Sequence, residues 1–404
     1  MTGKAWKSLR AIDFALLGAS LLLFVYFYRG FFFPGIYVMS YGVMARRIVW
    51  GIRILLPILY VLAVFLYINI RAHAVPVGSV VLMSIATLVG FVLAYDVADA
   101  LYQNWFDSHK RLYHPYLQLM PAPYVPASGA GQKITVFCLG GSTTELPDRA
   151  GRDWPSRVDS ILRRRYGRTD VEVSNLGMEW YTSLHSLINY ETNLRGYKPS
   201  VILIMQSVND LLQNADFSYF SHGPFREDYG HFYGPVNRII DRRSLWRYCE
   251  EVFKDAWYGR ERRPVTTDSF PGLSAYERNI RTIVELAKHD GTHVVLMSEP
   301  SLVKDSMSAE EESVVAMLKV EAINDSLVWT TRTVANGMRQ YNDRLQAIAS
   351  DEHVPFIDLA GVIPKTLTYF RDEVHYRDTT FSVIAPYVAG KLDSILTEAG
   401  MRRK

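Results

Sequence analysis

Cysteine is nearly missing from this chain of 404 residues, with only Cys138 and Cys249 present. Two distant thiols predict no disulfide framework, and their scarcity fits either side of a membrane. No Cys/His cluster has the spacing of a zinc site. Nine histidines besides His375 are scattered, and His185, in a helix-like segment, reads as packed or exposed rather than as a ligand. Charge of one sign is lacking as well: 44 Lys and Arg stand against 41 Asp and Glu, for a formal net charge of +3. The basic residues are spread out, with no block that suits nucleic acid. Arg163-Arg164-Arg165 and Arg242-Arg243 read as solvated helix faces, with anionic lipid headgroups as the alternative. No internal repeat is present.

Long apolar runs are there, all in the first hundred residues. Phe14–Tyr28, Ile54–Ile70 and Val75–Tyr95 carry no charge. A spanning helix needs about 20 mainly apolar residues. The second and third runs qualify, and the first reaches that length if Arg29 snorkels and Phe31-Phe32-Phe33 extends it. Lys4, Lys7 and Arg10 give the start the look of a signal peptide, but no small-residue cleavage site follows, so a retained anchor is expected. The same basic residues place the N-terminus in the cytoplasm. Three spans then put the rest of the chain outside the cytoplasm. Arg29, Arg46, Arg47 and Arg53 fit that topology poorly. A four-segment alternative, with 30–45 as an extra short span, would return the C-terminal domain to the cytoplasm. A connector over 99–131 follows, with Trp105, Phe106, Tyr113, Tyr116 and Tyr124 suited to a membrane interface and a Pro/Gly-rich end.

Past residue 131 the composition becomes mixed, and strands alternate with helices, which argues for a parallel sheet flanked by helices. Strands are expected at Ile134–Leu139, Val171–Ser174, Val201–Met205, His293–Met297 and Pro355–Ile357. Helices are expected at Trp154–Tyr166, Thr182–Leu194, Ser274–Lys288, Thr331–Ile348 and Ser382–Glu398, with a solvated helix within Ser308–Ser326. Four fragments fall where a strand or loop ends, the place where such sheets hold their sites. The apolar run Val136-Phe137-Cys138-Leu139 stops at Gly140-Gly141-Ser142. Val173-Ser174-Asn175-Leu176-Gly177 is the second fragment. The third is Val201–Met205 followed by Gln206-Ser207-Val208-Asn209-Asp210, and the last is Asp372-Glu373-Val374-His375. Each alone is also an ordinary turn, cap or solvated pair; Asp210 in particular reads as a cap.

Together, in this order and spacing, the fragments resemble the SGNH (GDSL-type) hydrolase family over roughly residues 133–398. The resemblance implies an SGNH-type three-layer α/β domain with a parallel sheet over 132–404; the apolar runs themselves place an α-helical transmembrane region over 1–98 before it. It also implies the catalytic set Ser142, Asp372 and His375, and an oxyanion hole from Ser142, Gly177 and Asn209. Gly141 stands where the commonest family pattern has Asp, and Ser207 where the third block has Gly. Neither change removes a catalytic group.

The chemistry stands without the family. A serine hydroxyl is a poor nucleophile until a base takes its proton. Imidazole titrates near neutrality, and an Asp three residues before His375 can orient it. Donors near Ser142 would hold the oxyanion. No cofactor is expected, and Asp372 with His375 lacks a third ligand for a metal. The expected activity is that of a membrane-anchored serine ester hydrolase acting on O-acyl esters of a glycan or lipid. An O-acyltransferase and a non-catalytic membrane partner of the same fold are the alternatives. The aromatic-rich insertion over 211–271 reads as a lid or wall over the pocket, or as a packed subdomain.

Overall fold

The computed structural model describes residues 10–32, 42–71, 96–105, 112–114, 117–126, 133–212, 214, 263–315 and 327–401, with single helical positions between 85 and 93. The 75–95 run is described only at those positions. Cys249 and residues 213 and 215–262 of the 211–271 insertion lie outside the described residues. Those up to residue 105 and those from Leu112 onward belong to different compact units.

In the first unit, helix α1 (Ala11–Phe32) pairs with helix α2 (Gly42–Arg71). The pairing is antiparallel. At one end the buried Asp13 carboxylate accepts from Arg71 Nε at 2.7 Å and from the Tyr67 hydroxyl at 2.7 Å. Further along, Phe24 stacks on Tyr60 with ring centroids 4.3 Å apart. The Tyr28 hydroxyl donates to Arg53 O at 2.6 Å. Within α2, Arg53–Arg71 is long and apolar enough to cross a membrane; Ala11–Tyr26 of α1 is apolar but shorter. Leu22, Val61 and Leu62 point outward.

The second unit is built on five parallel strands: β1 (Ile134–Gly140), β2 (Val171–Asn175), β3 (Val201–Met205), β4 (His293–Met297) and β5 (Phe356–Ile357), in the order β2-β1-β3-β4-β5. Every residue of β3 is buried, as expected of a central strand covered on both faces. The chain order reverses between β1 and β3, so the switch point of this doubly wound sheet lies at their carboxyl ends. Both ends carry expected site residues. Next in the chain come α3 (Ser142–Glu145), α4 (Trp154–Arg165), α5 (Ser183–Asn189), α6 (Val208–Leu212), α7 (Gly272–His289), α8 (Ala309–Val314), α9 (Thr331–Asp351) and α10 (Asp378–Glu398). Helix α4 packs on α10 and β2, while α7 packs on α5, α9 and β4.

Two departures from the expected helices have local causes. The segment expected as one helix to Leu194 leaves α-geometry after Asn189 for a π-turn and a 3₁₀ turn, ending at Lys198 with φ 49°. Thr192 Oγ1 donates back to Ile188 O at 2.7 Å, a bond known to bend helices. Helix α10 begins at Asp378, four residues before the apolar pattern does, because Thr379 and Thr380 use their hydroxyls on Thr368 O and Tyr369 O. In the connector, Leu117 and Leu119 are buried and Tyr124 packs on Phe137, so this stretch belongs to the second unit. Cys138 is buried in β1.

Candidate active site

Strand β1 delivers the nucleophile candidate. It ends at Gly140, Gly141 takes the N-cap position, and Ser142 is the first residue of α3. A Cβ on Gly141 would sit 2.6 Å from Asn209 Nδ2, so the missing side chain lets that amide approach the turn beside Ser142. The departure from the family's Asp at this position thus accompanies a close Asn209.

The base arrives from the loop before α10. His375 Nε2 lies 2.8 Å from Ser142 Oγ. His375 Nδ1 lies 2.9 Å from Asp372 Oδ2 and 3.0 Å from Oδ1. A carboxylate can only accept, which assigns the proton to Nδ1 and leaves Nε2 to accept from the serine hydroxyl. Asp372 Oδ1 also accepts the N–H groups of Val374 at 3.1 Å and His375 at 2.8 Å. The three-residue spacing thus closes a turn around its own carboxylate. Burial would raise the Asp372 pKa, but the bond from the His375 ring, its charge and these two N–H groups outweigh it and hold the carboxyl below its ordinary range. An antiparallel bridge between Phe370 and Tyr376 braces the loop. Ser142, Asp372 and His375 are therefore brought together as one hydrogen-bonded chain.

The oxyanion candidates fall nearby with different commitments. Asn209 is the second residue of α6 and is buried. Its Nδ2 donates to Tyr181 O at 2.9 Å, which uses one of the two amide hydrogens and fixes the amide plane. Gly177 follows β2, but its N–H donates to Asn175 Oδ1 at 3.0 Å. The Asn175 amide donates in turn to Thr144 O at 2.9 Å, tying the Gly177 loop to the nucleophile helix. Between Gly177 and Tyr181 the backbone turns through Trp180 at φ 67°, a left-handed value uncommon for a bulky residue.

Asp210 caps, as its residue type suggested. It is buried and accepts Ser183 N at 2.9 Å and Ser183 Oγ at 2.5 Å, at the first residue of α5. His185 is packed: its Nδ1 lies 2.8 Å from Thr182 Oγ1 in a capping box, and burial lowers its pKa to about 4. Ser207, the other departure from the family pattern, puts its hydroxyl 3.0 Å from Asn342 Oδ1.

The sequence reading passed over Glu299, just after β4. Its side chain is buried, accepting the Thr143 hydroxyl at 2.6 Å and the Val208 N–H at 2.9 Å. No local signal marks it, because both partners are far away in the chain.

The profile of the GDSL-like Lipase/Acylhydrolase family matches residues 138–379, more than half of the chain. The chain belongs to this family. No match is found among curated proteins. Among solved structures, similarity is found to Axe2, an acetylxylan esterase from Geobacillus stearothermophilus. The two share 14% identity over 65% of this chain and 94% of that one, with a TM-score of 0.40. A GDSL-like lipase from Bacteroides thetaiotaomicron is also similar, with 15% identity over 67% of this chain and 92% of that one, and a TM-score of 0.38.

Proposed function

We propose that the protein is a membrane-anchored serine ester hydrolase that cleaves O-acyl esters of a glycan or lipid through an acyl-enzyme on Ser142. The observation that carries this reading is the Ser142–His375–Asp372 chain, with separations of 2.8 and 2.9 Å at the switch point of the sheet. Ser142 Oγ attacks the acyl carbonyl carbon as its proton passes to His375 Nε2. Asp372 holds the resulting imidazolium through Nδ1–H. The Ser142 N–H, at the start of α3, and the Asn209 amide face the developing oxyanion. Gly177 N–H joins them by sharing or releasing Asn175 Oδ1. Collapse of the intermediate expels the alcohol, which takes the proton from Nε2. Water then repeats the cycle on the acyl-enzyme, with His375 as base again.

Anchoring is supported by the apolar Arg53–Arg71 segment and by the outward Leu22, Val61 and Leu62. Ile85, Val89, Leu93, Val97 and Leu101, at described helical positions, are exposed as well and add apolar surface. The Asp13–Arg71 pair favours three spans over four. It puts the start of the first span and the end of the second on one side, as a hairpin requires, whereas the four-segment topology would separate them. With the basic N-terminus inside, the catalytic unit lies outside the cytoplasm.

The test is labelling of detergent-solubilised protein with a fluorophosphonate, wild type beside Ser142→Ala. Labelling and ester turnover that both depend on Ser142 are expected. Turnover retained by Ser142→Ala or by His375→Ala would refute the assignment. A tag after Lys404 should be cleaved by protease added outside intact cells; protection of that tag would refute the topology.

A further inference from the structure

Two of the proposed catalytic groups sit on turns that leave different strands. Ser142 follows β1 and Asn209 follows β3, so their relative position must be held by something that touches both turns. Glu299 touches both. Its Oε1 accepts the hydroxyl of Thr143, the residue after Ser142, at 2.6 Å. Its Oε2 accepts the N–H of Val208, the residue before Asn209, at 2.9 Å. The bridging residue is itself fixed. Glu299 N donates to Asn342 Oδ1 at 2.9 Å, and Asn342 Nδ2 donates to Glu299 O at 3.0 Å. Asn342 Oδ1 also lies 3.0 Å from Ser207 Oγ, so the clamp from α9 reaches the Asn209 turn as well.

The carboxylate is 1% exposed. Leaving a carboxylate so deep is costly unless its oxygens are satisfied. Burial pushes its pKa up, while the donors from Thr143, Val208 and Ser207 and the charge of His375 oppose that rise. A leucine would fill the same space without that cost, but it could not hold two turns by directed bonds. We infer that Glu299 is a positioning residue for the hydrolase proposed above, holding the Ser142 turn and the Asn209 turn in the register that the tetrahedral intermediate needs.

The inference rests on the hydrolase reading, and its test separates the two. Glu299→Ala, Glu299→Gln and Thr143→Val are compared with wild type for hydrolysis of a short-chain nitrophenyl ester. Turnover is expressed per serine titrated by the fluorophosphonate, so that loss of folded protein does not count as loss of catalysis. Active sites require placement within about 0.5 Å, and a misplacement of about 1 Å costs on the order of 100-fold. Glu299→Ala should therefore lower kcat per labelled serine by roughly 10- to 100-fold, with KM changed less than about threefold. Glu299→Gln keeps the length and can still bond both turns, so it should stay within about fivefold of wild type. Thr143→Val keeps the shape but cuts one arm and should lose about three- to tenfold.

Wild-type kcat per labelled serine in Glu299→Ala would overturn the inference, even if melting were lower, because the residue would then only stabilise the fold. A Gln variant as slow as the Ala variant would overturn it too, since the charge of Glu299 and not its bonds to the two turns would then be what matters. If the Ala variant does not fold, an unchanged Thr143→Val is the refuting result. Failure of the hydrolase reading looks different: Ser142→Ala would keep its turnover.

Discussion

Gly177→Ala is a one-carbon test of how closely the second block is packed against the nucleophile helix. A Cβ at residue 177 would lie 2.8 Å from Thr144 Cβ, 2.9 Å from Thr144 Cγ2 and 2.9 Å from the backbone N of Glu145. Ordinary contact begins near 3.4 Å, so the loop and α3 must part by about 0.5–0.6 Å. Neither side yields easily: Thr144 is fully buried, and Asn175 ties the two segments by the hydrogen bond its side-chain amide donates to Thr144 O. Overpacking of this kind costs about 1–3 kcal/mol of stability. The same shift moves Ser142 against the Asn209 amide. If a misplacement of about 1 Å costs on the order of 100-fold, half of that costs about tenfold. The expected result is a fall in kcat per labelled serine of roughly 10-fold or more, with KM little changed. The assay is hydrolysis of a nitrophenyl ester by protein whose active serines have been titrated. Adding Thr144→Ser should not restore the rate, since it removes Cγ2 but leaves Thr144 Cβ and Glu145 N in place. A Gly177→Ala variant with kcat per labelled serine within about twofold of wild type would refute the argument, because the steric shift could not then have reached the serine.

Three other outcomes are expected. Asp372→Asn should lower kcat on the order of 10³–10⁴-fold by favouring the wrong tautomer of His375; stopped assays across substrate concentrations would show it, and a change confined to KM would contradict it. His185 is buried with its pKa lowered to about 4 from 6.5, so the unfolded chain binds its proton first. The stability it contributes is full above about pH 6.5 and lost as pH falls through about 4. By linkage the loss is about 3 kcal/mol, and denaturant titrations between pH 7 and 4 should show that slope in wild type but not in His185→Gln. Arg168 is fully buried between Asp170, Asp393 and the carbonyl of Met401. Arg168→Ala leaves these acceptors uncompensated and should cost about 3–5 kcal/mol in urea unfolding, whereas a cost below about 1 kcal/mol would mean solvent reaches the site in the variant.

What could be read in the chain was whatever is local. Apolar Val136–Leu139 followed by two glycines and Ser142 marks a strand end within seven residues, and the structure places a strand and a helix start there. Asp372 and His375 lie three residues apart because one turn brings them together, so the pair could be picked out once the other blocks stood in the family's order. Helix α10 was read short for the converse reason. Its first turn is made of Asp378, Thr379 and Thr380, whose polar side chains hide the start from any search for apolar periodicity.

Glu299 and Asn175 show where local reading stops. Ser298-Glu299 after an apolar strand looks like any cap, and Asn175 looks like a strand-ending turn residue. Their roles depend on the strand order β2-β1-β3-β4-β5, which puts the ends of β2 and β4 on either side of the β1–β3 crevice. Only that order lets residue 299 reach residues 143 and 208, and residue 175 reach residue 144. Strand order is set by which helices cover which faces, a property of the whole domain that no single window contains. The groups proposed to do chemistry can be short motifs because they act on a substrate at one place. The groups that hold them must come from whichever strands lie next door, so their positions in the chain follow the topology.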